Sequence, residues 1–297
     1  MLFATRIRPL VVGVGRAVPD VRGRGRAAAI LNALLLRAGA EPFAIAKMAA
    51  GHSLLVDCRL QSHVHALFSG QYDDLAISAL LAFLNPGGGV LDVGANVGFW
   101  TVPLALAARR MGAQVVAFEP YRPNAEWLRR NLRLNMIDGA VTIVEKALSS
   151  TRGDATLTLR EDFLTGATIG NASVADATTD SPEFVQAQIC LETLDEIFPT
   201  LGIDRLDLVK VDIEGHEDRF LEGAARVLSA HRPAILIEIN RCFYERRGVD
   251  FNRTIPSLLP KDYRFLTVGL IEIGDLAGCT DNDVLAIPRE KITTQRK

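Results

Sequence analysis

Apolar and polar positions change period several times along this chain. Val90, Leu91 and Val93 form a short apolar run suited to a strand covered on both faces. Gly94 and Gly98 bracket a tight turn, and residues 101–108 continue as an apolar helix with Pro103 in its first turn. The alternation then repeats. A strand is predicted over 115–118, a helix over 124–135 with Trp127, Leu128, Leu132 and Leu134 on its apolar side, and a strand over 141–144. Further on come a strand over 206–211, a helix over 217–229 and a strand over 234–239. Residues 264–268 and 284–288 read as a closing antiparallel pair joined through 271–278. Strand–helix alternation of this kind implies right-handed crossovers and a mostly parallel sheet.

Two stretches break the rhythm. Ahead of Val90, residues 27–37 carry Ile30, Leu31, Leu34 and Leu35 at helical spacing and end near Gly39. A hairpin over 43–47 and 53–58 and helices over 61–68 and 73–84 follow. Residues 152–195 hold two predicted strands, 155–159 and 184–191, separated by a Gly/Thr-rich segment at 165–173 and a polar run to Pro182. An insertion of that length suits a lid or part of an acceptor pocket, with a plain surface loop as the alternative.

The turn at 94–98 decides which ligand class the sheet serves. A dinucleotide fingerprint needs Gly-x-Gly-x-x-Gly, and Asn96 stands at the second glycine position. No Gly-Lys-Ser/Thr ending of a phosphate loop is present. Asp92 precedes the turn, where a carboxylate would repel phosphate. It suits a cationic ligand such as S-adenosyl-L-methionine, which carries a sulfonium and an ammonium. Glu119 ends the next strand, where an acid can accept both hydroxyls of a ribose.

Composition narrows the picture. The chain has 297 residues, 48% of them hydrophobic, and a net charge of −2, which speaks against a nucleic-acid partner. Cys58, Cys190, Cys242 and Cys279 form no Cys-x-x-Cys pair, so reduced thiols, no metal site and a cytoplasmic location are expected. His63 and His65 fall on different faces of a helix. No apolar run is long enough to span a membrane. Residues 1–40 hold Arg6, Arg8, Arg16, Arg22, Arg24, Arg26 and Arg37 against Asp20 alone. Arg22-Gly-Arg-Gly-Arg reads as a solvated lead-in to the helix over 27–37, with a targeting peptide or contact with an anionic substrate or membrane surface as the alternatives.

Three motifs together carry a family resemblance. Asp-Val-Gly-Ala-Asn-Val-Gly at 92–98, Phe-Glu-Pro at 118–120 and Leu-Val-Lys-Val-Asp-Ile-Glu-Gly-His-Glu at 208–217 resemble the FkbM-type S-adenosylmethionine-dependent methyltransferases. The resemblance implies an α/β, Rossmann-like class I methyltransferase fold: a mostly parallel seven-stranded sheet with helices on both faces. Residues 71–297 would form that domain, and 1–70 a helical and β-hairpin appendage. It implies O-methylation of a hydroxyl on a small-molecule acceptor, a sugar or secondary metabolite. Cofactor-binding candidates are Tyr72, Asp92, Gly94, Ala95, Asn96, Gly98, Glu119, Pro120, Ala147 and Asp212. Ligands of open α/β sheets bind beyond the strand ends, so Asp212, Glu214, His216 and Glu238 are the catalytic candidates. Glu217 and Asp218 read more simply as first-turn helix acids. A dinucleotide-dependent oxidoreductase on a similar fold and a non-catalytic methyltransferase-like binding module are the alternatives.

Overall fold

The computed structural model describes residues 2–17, 23–160, 173–174, 184–279 and 282–294. Its helices are α1 (Leu2–Ala17), α2 (Arg24–Arg37), α3 (Gln61–Ser69), α4 (Asp74–Leu81), α5 (Thr101–Arg110), α6 (Arg122–Leu134), α7 (Leu194–Ile197), α8 (Glu217–Gly223), α9 (Ala225–His231), α10 (Arg241–Arg246), α11 (Phe251–Leu258) and α12 (Arg289–Thr294). Its strands are β1 (Phe43–Lys47), β2 (Ser53–Asp57), β3 (Gly89–Val93), β4 (Gln114–Phe118), β5 (Val141–Val144), β6 (Ala147–Leu148), β7 (Gly153–Arg160), β8 (Ser173–Val174), β9 (Phe184–Glu192), β10 (Leu206–Val211), β11 (Ala234–Glu238), β12 (Tyr263–Leu266), β13 (Glu272–Ile273) and β14 (Asp283–Pro288).

The main sheet has eight strands in the order β13-β12-β14-β11-β10-β3-β4-β5. β11, β10, β3, β4 and β5 are parallel, and β14 inserts antiparallel between β11 and β12. Seven of these are the strands expected from the pattern; two-residue β13 adds an edge within the segment read as a connection. Period-2 alternation sends Val90, Val115, Leu208 and Leu236 to one face and Leu91, Val116, Val209 and Ile235 to the other. The first face is covered by α4 and α5 through Ile77, Leu80, Leu104 and Ala105. The second is covered by Phe220, Leu221, Leu228, Tyr244 and Ile255. Truncating any of the fully buried leucines to alanine is expected to cost about 2–5 kcal/mol.

The N-terminal elements share the first of these cores through Val12, Ala28, Leu54 and Val56. The β1–β2 hairpin is fastened by α6. Asn131 Oδ1 accepts from Leu55 N at 2.6 Å, Asn135 Oδ1 accepts from Ser53 N at 2.9 Å, and Trp127 Nε1 donates to Leu55 O at 3.0 Å. These bonds satisfy a strand edge that would otherwise be open.

Several elements differ from the pattern-based reading. Residues 2–17 form a helix, because Ala4, Arg8 and Val12 recur every four residues on one buried row. Arg8 donates to Glu41 O at 2.5 Å and to Phe43 O at 3.2 Å, and Arg16 donates to Leu67 O at 2.7 Å. These two arginines tie α1 down, and α2 already begins at Arg24, inside the expected lead-in. In α2 the buried row is Ala28, Asn32 and Leu35, held by Asn32 Nδ2 donating to Cys58 O at 2.6 Å; Ile30, Leu31 and Leu34 point outward. The helix expected over 217–229 divides at Ala224, next to Gly223, where a Cβ would run into the Ser149 carbonyl. Helices α10 and α11 were not anticipated. Of the segment from 165 to Pro182, only Ser173 and Val174 lie within the described residues, and Asp20 and Arg22 lie outside them.

Candidate active site

The end of β3 turns sharply at Gly94, with φ 80, and at Asn96, with φ 48, one of the few side chains that accept the left-handed region. Gly94 N and Ala95 N both donate to Phe118 O at 3.0 Å, pinning the turn to the end of β4. Glu119 lies one residue further along that chain. Its Oε2 accepts from Asn96 N at 2.8 Å and its Oε1 from Tyr121 N at 2.9 Å. Burial raises the Glu119 carboxyl to about 7 against these hydrogen bonds. The Asn124 side chain adds a third hydrogen bond, which leaves one lone pair of the carboxylate for a further donor.

A cavity of about 340 Å³ opens beside this turn at the strand tips. Gly94, Asn96, Glu119, Pro120 and Ala147 line one side, Asp212, Glu214, His216 and Glu238 the other, and Tyr72 the rim. Leu157, Ile189 and Leu191 of the small β6-β9-β7-β8 sheet add an apolar wall. The inserted strands thus contribute to this cavity. Asp92, Ala95 and Gly98 do not line it. Gly98 instead receives the packed side chain of Leu128, which a Cβ would displace.

Asp92 departs from its expected role in direct ligand contact. It is fully buried, and its Oδ2 accepts from Thr101 Oγ1 at 2.6 Å. Its cross-strand partner on β10 is Lys210, in register and on the same face of the sheet. The Lys210 ammonium lies 3.5 Å from Asp92 Oδ1 and 3.1 Å from Asp212 Oδ2, and donates to Gly94 O at 3.1 Å. Burial disfavours the Lys210 charge, but Asp212 and Asp92 outweigh it and raise its pKa. Nothing in the strand predicted over 206–211 gives Lys210 a role of its own. A signal was present: Val-Leu-Asp-Val-Gly and Leu-Val-Lys-Val-Asp place opposite charges at matching positions in two strands destined to be neighbours.

The loop after β10 is fixed from below. Asp212 N donates to Val93 O at 3.1 Å, and Glu214 takes a left-handed φ of 53. Glu217 Oε1 accepts from Ile213 N at 3.2 Å and Gly215 N at 3.0 Å, while Tyr244 OH donates to Glu217 Oε2 at 2.6 Å. Arg247 grips Asp218 at 2.9 and 2.7 Å and also donates to Gly215 O. Glu217 and Asp218 are therefore buried loop anchors, beyond the helix-dipole role expected of them.

The acids at the tips have separate ionisation states. Burial raises Asp212, yet Lys210 and a hydrogen bond from Glu238 prevail and lower it. Burial, then the Asp212 charge, push Glu238 up to about 10, so it keeps its proton and donates it to Asp212. Burial and Asp212 push Glu214 up to about 8. A second cavity of about 760 Å³ lies behind this group, lined by Asp73, Leu75, Trp100, Val268 and Asp283. Tyr72, Asp212 and Glu238 border both cavities. Tyr72 packs on Phe99 with ring centroids 4.3 Å apart, and Asp73 accepts from Trp100 Nε1 at 3.1 Å.

A parallel sheet with an antiparallel strand inserted at its end, and a cavity at the strand tips, define the class: a Rossmann-like class I methyltransferase. Residues 92–265 match the model of the methyltransferase FkbM domain, and the chain belongs to that family. The methyl donor of the family is S-adenosyl-L-methionine. Among curated proteins, the chain is similar to the AMB antimetabolite synthetase AmbE of Pseudomonas aeruginosa, 30% identical over 189 residues, which cover 53% of this chain and 8% of that one. It is also similar to methyltransferase sdnD of Sordaria araneosa, 26% identical over 208 residues, which cover 60% of this chain and 80% of that one. A solved methyltransferase FkbM from Methylobacillus flagellatus is 17% identical, with a TM-score of 0.42, covering 89% of this chain and 59% of that one.

Proposed function

We propose that the protein transfers a methyl group from S-adenosylmethionine to a hydroxyl of a small molecule, a sugar or secondary metabolite. One observation carries this reading: two cavities meet at Tyr72, Asp212 and Glu238, as a donor site and an acceptor site must. The first cavity suits the donor. Glu119 has a lone pair free for a ribose hydroxyl, the apolar wall with Pro120 and Ala147 suits an adenine, and Lys146 is paired with Glu192 at 3.0 Å and forms no phosphate cradle. Gly94 and Asn96 would meet the amino-acid end, with Asp212 as the carboxylate nearest the donor's positive charge. Asp92 acts only through Lys210. Curated relatives named for a methyltransferase and an antimetabolite synthetase are consistent with a secondary-metabolite acceptor.

When bound, S-adenosylmethionine supplies an activated methyl group on its sulfonium. This chain's residues supply alignment and a proton acceptor. The acceptor hydroxyl, seated in the second cavity, faces Asp212 and Glu238. Its proton becomes strongly acidic as the new C–O bond forms, so a carboxylate held at low pKa suffices to receive it. Asp212 takes that role, with Lys210 fixing its position and protonated Glu238 donating a hydrogen bond. Glu214 is the runner-up base, because its carboxyl is raised to about 8. Family membership sets aside the dinucleotide oxidoreductase. The test is mass spectrometry of hydroxylated small molecules incubated with the protein and methyl-labelled donor. Label on a hydroxyl oxygen supports the reading. Label on nitrogen or carbon refutes it, and donor binding with no transfer to any acceptor would leave a binding module.

A further inference from the structure

Thirteen large apolar side chains stand exposed among the described residues, and six of them sit on α1 and α2: Phe3, Leu10, Val14, Ile30, Leu31 and Leu34. That concentration needs an explanation, because scattered exposed apolar residues are ordinary and clustered ones mark interaction surfaces. Helical spacing separates the two sides of α1. Ala4, Arg8 and Val12 form the docked row, while Phe3, Leu10 and Val14 lie on the opposite row at exposures of 76%, 71% and 61%. Helix α2 repeats the arrangement, with Ala28, Asn32 and Leu35 docked and Ile30, Leu31 and Leu34 outward. The two helices pack on each other. Their docked sides are fixed to the body by Arg8, Arg16 and Asn32, so the outward rows are not held back for the core.

Charge identifies the occupant. Neither helix contains an acidic residue, and Arg6, Arg26 and Arg37 are exposed, in a chain whose net charge is −2. Apolar residues among arginines, with no acids, match the boundary between anionic headgroups and acyl chains. A symmetric pairing of two copies through this face would set its cationic side chains against one another with no acid on either helix to offset them. We propose that α1 and α2 seat the protein on an anionic lipid surface, apolar rows in the interface and arginines on the headgroups.

The test is co-sedimentation of the full chain with vesicles of phosphatidylglycerol and phosphatidylcholine, compared with phosphatidylcholine alone. The expected result is binding to the anionic vesicles that weakens as salt rises and is at least roughly 10-fold weaker on the neutral ones. Two variants are measured beside the wild type: Arg6→Glu with Arg26→Glu, and Leu10→Asp with Val14→Asp. All four positions are exposed, so circular dichroism and S-adenosylhomocysteine binding should match the wild type, and both variants should lose vesicle binding by roughly 10-fold or more. Equal binding to both vesicle types overturns the proposal, as does folded Leu10→Asp/Val14→Asp protein that binds vesicles like the wild type. So does failure of the wild type to bind anionic vesicles, whether it stays monomeric or forms a dimer that Leu10→Asp dissolves.

Discussion

Lys210→Met separates the buried charge network from ordinary packing. Methionine keeps most of the stem and its contacts but removes the ammonium. In the wild type that ammonium faces Asp92 at 3.5 Å and Asp212 at 3.1 Å, and holds the Gly94 carbonyl at 3.1 Å. Asp212 is 30% exposed on its side chain and can recover some hydration, whereas Asp92 is at 0% and cannot. Removing one partner of a buried pair generally costs about 3–5 kcal/mol, a large part of the roughly 5–15 kcal/mol that holds a domain together. Asp92 has one escape, which is to take a proton. Burial already raises its pKa in the wild type, with Lys210 and Thr101 opposing, and loss of Lys210 raises it further. A carboxyl raised above its unfolded value penalises folding at high pH, and the penalty fades as pH falls towards that unfolded value. The deficit of Lys210→Met relative to wild type should therefore be largest near pH 8 and clearly smaller near pH 5. Urea unfolding at both values, with equal slopes checked for two-state behaviour, measures it. The double variant with Asp92→Asn should recover part of the loss. A deficit below about 1 kcal/mol at pH 8, or one that does not shrink on acidification, would refute the assignment of Lys210 as the counter-ion that keeps Asp92 charged.

Three further outcomes follow from the site. Glu119→Gln weakens charge-assisted hydrogen bonds worth roughly 1.5–3 kcal/mol, so calorimetry should show S-adenosylhomocysteine affinity falling about ten- to a hundred-fold. With the Glu119 carboxyl near 7, wild-type affinity should rise between about pH 6 and pH 8 as it ionises and the variant's should stay flat; equal affinities return Glu119 to bracing the turn alone. Asp212→Asn should leave donor binding in place while turnover drops by roughly 10²- to 10⁴-fold if Asp212 is the base; a parallel loss of binding makes it the donor's counter-charge, and full turnover moves the base to Glu214. Tyr244→Phe removes the hydroxyl on Glu217, which should cost about 1–3 kcal/mol in urea unfolding and lower kcat more than donor affinity; wild-type values for both would deny that Glu217 clamps the loop.

The sheet was legible because its strands are buried on both faces and read as mostly apolar runs, broken only by Asp92, Asp207 and Lys210, that end in Gly94, Glu119, Asp212 and Glu238. Their tips were legible too, since an acid at the end of such a strand has few structural uses. What stayed hidden depends on which row of a helix faces in. Ile30, Leu31 and Leu34 form a better apolar row than Ala28, Asn32 and Leu35, yet the latter is docked, because Asn32 finds the Cys58 carbonyl. Helix α1 was hidden for the same reason, its buried row being centred on Arg8. Asp92 was assigned to the ligand from its place in the motif, and only the register of β3 against β10 reveals that its neighbour is a lysine. Glu217 looked like a helix-dipole acid because nothing local to it announces Tyr244.

At the seam between β3 and β10 the two strand tips touch backbone to backbone. A Cβ on Gly94 would collide with the Asp212 carbonyl, and Asp212 N reaches the Val93 carbonyl at 3.1 Å. The floor on which donor and acceptor would meet is therefore a single welded piece, with no slack for adapting to a differently shaped acceptor. Any change of acceptor range, by natural drift or by engineering, would have to come from the walls instead: Tyr72 and Asp73 ahead of α4, Leu75 on it, and Val268 beyond β12. A randomised library confined to Asp73, Leu75 and Val268, which do not line the donor cavity, should shift acceptor preference while leaving donor affinity largely in place, whereas one that includes Gly94 should return mostly unfolded or donor-blind protein.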